Sequence, residues 1–69
     1  MKFLEVTTES GKFLVRTEII KWVKFDSVEN GYKIIIYSDD REWKECFLQT
    51  ERQEFRSRCE HISRILNME

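Results

Sequence analysis

A chain of 69 residues with 41% hydrophobic and 36% charged content reads as one small folded domain, which leaves out a disordered tail and a multidomain enzyme. Twelve basic against thirteen acidic side chains give a net charge of −1, so composition supplies no general pull toward nucleic acid or membrane. Chains of this size bury only roughly 60% of their unfolded surface, too thin a core for a deep catalytic cleft and one that oligomerisation commonly supplements.

With no proline and only Gly11 and Gly31, nearly the whole chain is expected in regular structure. Residues 2–8 (KFLEVTT) alternate, Leu4 and Val6 against Glu5 and Thr7, as a strand does. Glu9-Ser10-Gly11 supplies turn chemistry, and residues 12–16 (KFLVR) return as a second strand with Phe13 and Val15 on one face. Thr17 to Ile20 suits one helical turn, with Thr as a cap and Glu18 in its first turn. Residues 20–26 alternate again, Val23 and Phe25 against Trp22 and Lys24, and form a third strand. Asn30-Gly31, the dipeptide that accepts a type I′ turn, leads into a fourth strand from Tyr32 to Ser38. Asp39-Asp40 reverses the chain into a fifth strand, Arg41 to Phe47, in which Trp43, Glu45 and Phe47 oppose Glu42, Lys44 and Cys46.

The period then changes. Thr50 and Gln53 have capping-box spacing, and Phe55, Cys59, Ile62 and Leu66 form one helical stripe. Glu54 with Arg58 and Glu60 with Arg64 are oriented as helix-supporting pairs, each worth roughly 0.2–0.5 kcal/mol. The fold expected is α+β, in a single domain over residues 1–69. A curled antiparallel sheet of four to five strands (hairpin plus meander, about residues 2–47) is followed by one C-terminal amphipathic helix at about 51–67.

Chemistry-bearing residues are few. Cys46, Cys59 and His61 fall short of the four-ligand, paired spacing of a zinc site, so no metal or other cofactor is expected. One histidine, with no Gly-rich phosphate loop and no nucleophile elbow, points away from an enzyme and from any small-molecule substrate. Asp39-Asp40 is ordinary turn chemistry rather than a catalytic pair. Met1-Lys2 runs into FLEVTTES without an apolar stretch, and no apolar run reaches membrane-spanning length. Neither a signal peptide nor a membrane association is expected, and two cysteines outside a secretory context suggest reduced thiols in a cytoplasm.

The remaining signal is aromatic and two-sided. Trp22, Tyr32, Tyr37 and Trp43 lie among Lys21, Lys24, Lys33, Arg41 and Lys44, a mixture that can stack and grip single-stranded nucleic acid. Cross-strand aromatic pairs also stabilise small sheets, and Glu29, Glu42 and Glu45 interrupt any phosphate-binding stripe. Ile34 and Ile36 face one way, as core beneath the helix stripe, while Ile35 faces the other with Lys33 and Tyr37. Apolar groups on both faces imply a sheet that curls or meets a partner. The expected function is a non-enzymatic protein-interaction module that self-associates or binds a protein partner, with Trp22, Ile35, Tyr37 and Trp43 as its candidate face. Single-stranded nucleic-acid binding through the aromatic and basic face is the alternative.

The order of hairpin, helical turn, meander and helix, with the segments ESGKFLV, TEIIKWV and YKIIIYSDDREWKEC, resembles the small bacterial flagellar protein family called FlbD. The likeness covers roughly residues 3–55. Here Asp39-Asp40 stands for that family's Asp-Gly turn, Trp43-Lys44-Glu45-Cys46 stands for its Val-Lys-Glu-Ser ending, and the helix is longer. Small proteins of bacterial genomes and prophages look similar. The resemblance implies no catalytic residues.

Overall fold

The computed structural model describes residues 2–67. Five strands and one helix follow the expected order: β1 Phe3–Thr8, β2 Gly11–Arg16, β3 Trp22–Val28, β4 Gly31–Tyr37, β5 Glu42–Leu48 and α1 Arg52–Leu66. A 3₁₀ turn at Thr17–Ile19 links β2 to β3, and another at Gln49–Glu51 leads into the helix.

The strands do not make one curled sheet of four or five. They form an antiparallel β1–β2 hairpin and a separate antiparallel β3–β4–β5 meander. At the join, two outward-facing backbone groups of β1 are occupied by side chains. The Thr7 N–H donates to Glu45 Oε2 at 3.3 Å, and Arg58 Nη2 donates to the Glu5 carbonyl. Glu45 and Arg58 hold each other in a bidentate pair, Nε to Oε1 at 2.9 Å and Nη2 to Oε2 at 2.8 Å. The pair offers β1 one acceptor and one donor on either side of Val6, as a neighbouring peptide group would. It therefore takes the place of a ladder between β1 and β5.

One core lies between hairpin, meander and helix. Leu4, Val6 and Val15 come from the hairpin, Ile34, Ile36 and Trp43 from the meander, and Ile62 from the helix. Phe55, Cys59, Ile65 and Leu66 pack against this cluster, so the helical stripe seats on the sheet as its spacing predicts. At the opposite end of the helix–sheet contact, Tyr32 stacks on Phe55 with centroids 4.6 Å apart, and Phe47 meets the same ring edge-on at 5.7 Å.

Four local expectations are corrected. Gly11 alone among the glycines adopts positive φ, at 128°, and the Glu29-Asn30 loop has no left-handed residue, so the second hairpin does not use a type I′ turn. The helix does not start with a Thr50–Gln53 box, because Thr50 lies inside the 3₁₀ turn; Leu48 N–H donates instead to Glu51 Oε1 at 2.7 Å. Arg58 turns inward to Glu45 rather than along the helix to Glu54, and among the described residues no ion pair joins Glu60 to Arg64. Thr17 does not cap its turn: it lies inside the 3₁₀ segment, whose cap is Arg16 without a side-chain bond, and its Oγ1 donates to the Lys2 carbonyl at 3.4 Å. The turns after β1 and β4 agree with their residues. Thr8 Oγ1 accepts from Ser10 N–H at 3.1 Å, and the Ser38 N–H donates to the Arg41 carbonyl at 2.9 Å across Asp39-Asp40. Asn67 closes the helix in the left-handed conformation at φ 55°, which asparagine tolerates.

Candidate functional site

Register decides what each face of the meander carries. Trp22 pairs with Tyr37, Ile36 with Trp43, and Ile35 lies between Lys24 and Lys44. Because side chains alternate, Val23, Phe25, Tyr32, Ile34, Ile36, Trp43, Glu45 and Phe47 face the helix and hairpin. Trp22, Lys24, Asp26, Lys33, Ile35, Tyr37, Glu42, Lys44 and Cys46 face away from them.

The four residues expected on one face are therefore divided. Trp22, Ile35 and Tyr37 share the helix-free face, whereas Trp43 is buried in the core, 8% exposed, with the Arg41 guanidinium 5.9 Å from its ring centre. Tyr32 likewise turns to the helix. Counting outward from the Asp39-Asp40 turn already sets Ser38 opposite Arg41 and Ile36 opposite Trp43, so the sequence held the signal for Trp43. Glu45, an acid among Trp43 and Phe47 on an apolar face, was legible in the same way as a group needing a buried partner.

On the helix-free face Trp22 stacks on Tyr37 with centroids 3.9 Å apart and planes 10° from parallel. Trp22 remains 55% exposed at the start of β3, and Val28 is 41% exposed at its end. Ile35 is buried at 5% exposure although no element covers it. Its register partners are lysines, whose long stems can shield an apolar neighbour while their heads stay in water. The lysine heads lie near acids: Lys21 to Asp39 at 3.7 Å, Lys24 to Asp26 at 3.9 Å and Lys44 to Glu42 at 3.7 Å. This face is an aromatic ladder beside alternating charge, not a basic stripe.

A cleft of about 680 Å³ lies between β1, β5 and α1, where Glu45, Glu54, Ser57, Arg58 and His61 line it. Its two charges at the base, Glu45 and Arg58, are occupied by each other and by β1. Among the described residues no three metal-ligating side chains gather, and no helix is long and apolar enough to cross a membrane.

The two thiols, both free, differ in setting: Cys46 is exposed on the helix-free face, and Cys59 is half-buried in the helical stripe. Burial pushes the Cys59 thiol above its ordinary value, with Glu45 and Glu60 adding to the rise and a backbone hydrogen bond only partly opposing it. Folding therefore favours its protonated form. That contribution to stability is present at neutral pH and is lost as pH rises through the raised value. In single Cys→Ser variants, Cys59 is expected to react with a disulfide reagent at least about tenfold more slowly than Cys46. Equal rates in folded protein would contradict this placement.

No family model matches the chain, and neither does any curated protein or solved structure. The FlbD resemblance rests on the quoted segments alone.

Proposed function

We propose that this chain is a non-enzymatic protein-interaction module that self-associates through the helix-free side of its meander and the open strand β3. The observation that carries the reading is the exposed Trp22, stacked on Tyr37 at a strand whose outer edge pairs with nothing else among the described residues. The helix covers one face of the sheet only, and an edge strand with exposed Trp22 and Val28 at its ends retains both backbone donors and apolar area for a partner. Two free thiols suit a cytoplasmic setting, and the resemblance of the quoted segments to FlbD fits a role without catalytic residues.

Sedimentation from about 10 µM to about 1 mM tests self-association, since weak edge contacts fall in that range of Kd. Mass is expected to rise with concentration, and Trp22→Ala to weaken the association several-fold. A wild-type chain that stays monomeric throughout would sink the reading.

The second reading is single-stranded nucleic-acid binding, favoured by the exposed ring of Trp22 above Tyr37, on which a base could stack. The near-neutral pairing of Lys21, Lys24 and Lys44 with acids makes it the weaker of the two. Salt-sensitive quenching of Trp22 by an oligonucleotide would favour it, and no quenching at low salt removes it.

A further inference from the structure

We infer that two copies of this chain join edge to edge through β3, antiparallel about a two-fold axis at Phe25, into a continuous six-stranded sheet. The inference rests on the self-association proposed above and names its geometry. Ser38 N–H bonds to the Arg41 carbonyl and Lys21 N–H to the Tyr37 carbonyl, so the odd-numbered residues of β4 turn their backbone groups toward β3. Through the register, Trp22, Lys24, Asp26 and Val28 spend their N–H and C=O groups on β4. Val23, Phe25 and Ser27 turn theirs to the open edge.

A two-fold axis at Phe25 sets Phe25 opposite Phe25 of the second copy and Val23 opposite Ser27. All three positions have outward donors and acceptors, so each pair can close the reciprocal hydrogen bonds of an antiparallel ladder. The intervening positions then meet as the closer, non-hydrogen-bonded pairs, where side-chain complementarity acts most strongly. There Lys24 faces Asp26 of the second copy, and Trp22 faces Val28, in both directions across the axis. The ion pair that Lys24 and Asp26 make within one strand, at 3.9 Å, is exchanged for two across the interface.

Other registers lack this agreement. An axis at Lys24 opposes two lysines, an axis at Asp26 opposes two aspartates, and an axis between residues sets an outward backbone group against an inward one. The other open edge, β2, does no better: an axis at Leu14 places Lys12 against Arg16 of the second copy. Charge complementarity thus selects β3 and its centre.

The experiment is a charge swap read by sedimentation. Lys24→Asp alone, and Asp26→Lys alone, should each weaken self-association about tenfold or more, since each opposes like charges twice per dimer. The double variant K24D/D26K should regain wild-type association, yet should not mix with the wild-type chain. The two single variants should associate when combined. Far-UV circular dichroism checks that each variant folds; if a single variant does not, the failure of wild type and double variant to mix carries the test. Retained association in a folded single variant, or free mixing of wild type with the double variant, overturns the Phe25 axis while leaving self-association standing. A monomeric wild type overturns both.

Discussion

Replacing Glu45 with alanine is expected to lower the free energy of unfolding by about 3 kcal/mol, a large share of the stability of so small a domain. Glu45 is 5% exposed and satisfies three donors: the Thr7 N–H and two nitrogens of Arg58. Removing it strands the Arg58 guanidinium, whose side chain is 21% exposed, and leaves an edge group of β1 without its acceptor. The estimate lies at the lower end of the usual cost of breaking a buried pair, about 3–5 kcal/mol, because water can still reach part of Arg58. Arg58→Ala should cost at least as much, since it leaves the more deeply buried carboxylate alone. The double replacement E45L/R58M should recover much of the loss, because the desolvation cost of both charges disappears with them. Urea unfolding compares the four proteins; a loss below about 1 kcal/mol for Glu45→Ala would show that the pair does not hold the hairpin to the meander.

Gly31→Ala is the second large effect, with an expected cost of about 2–3 kcal/mol. A methyl group there would lie 2.1 Å from the Phe47 carbonyl oxygen, 3.1 Å from its carbon and 3.2 Å from the Gln49 nitrogen. All three are backbone atoms, so no rotamer change relieves the clash and the adjacent end of the β4–β5 pairing must open. Gly11 provides the internal comparison. It has open space around its Cβ position but a φ of 128°, so its replacement by alanine meets backbone strain rather than collision, at about 1–2 kcal/mol. Thermal unfolding ranks the two, and a Gly31→Ala protein as stable as Gly11→Ala would contradict the close approach. Glycine at position 31 thus serves strand packing, whereas the Asn-Gly dipeptide suggests a left-handed turn.

The candidate face shows how far local pattern reaches. Alternation assigns Ile34 and Ile36 to one side of β4 and Ile35 to the other, and it groups Trp43 with Glu45 and Phe47. Placing Trp43 on the Ile36 side needs register as well, which follows once the Asp39-Asp40 turn is counted as two residues. The Trp22–Tyr37 stack is less accessible from sequence. It requires β3 and β4 to pair with Val28 opposite Gly31, across a loop whose conformation is not the one its dipeptide favours.

The sequence by itself determined the five strands, the helix, the stripe that carries Ile62 into the core and the two-sided character of β4. Those features are written in periods of two and 3.6 residues, which a dozen neighbouring positions are enough to express. Only the tertiary structure decided that the strands divide into a hairpin and a meander. That outcome depends on groups distant in the chain: Thr7 and Glu45 are 38 residues apart, and Glu5 and Arg58 are 53 apart. A carboxylate–guanidinium pair can satisfy a strand edge only when three segments converge on it, and no local period records such a convergence.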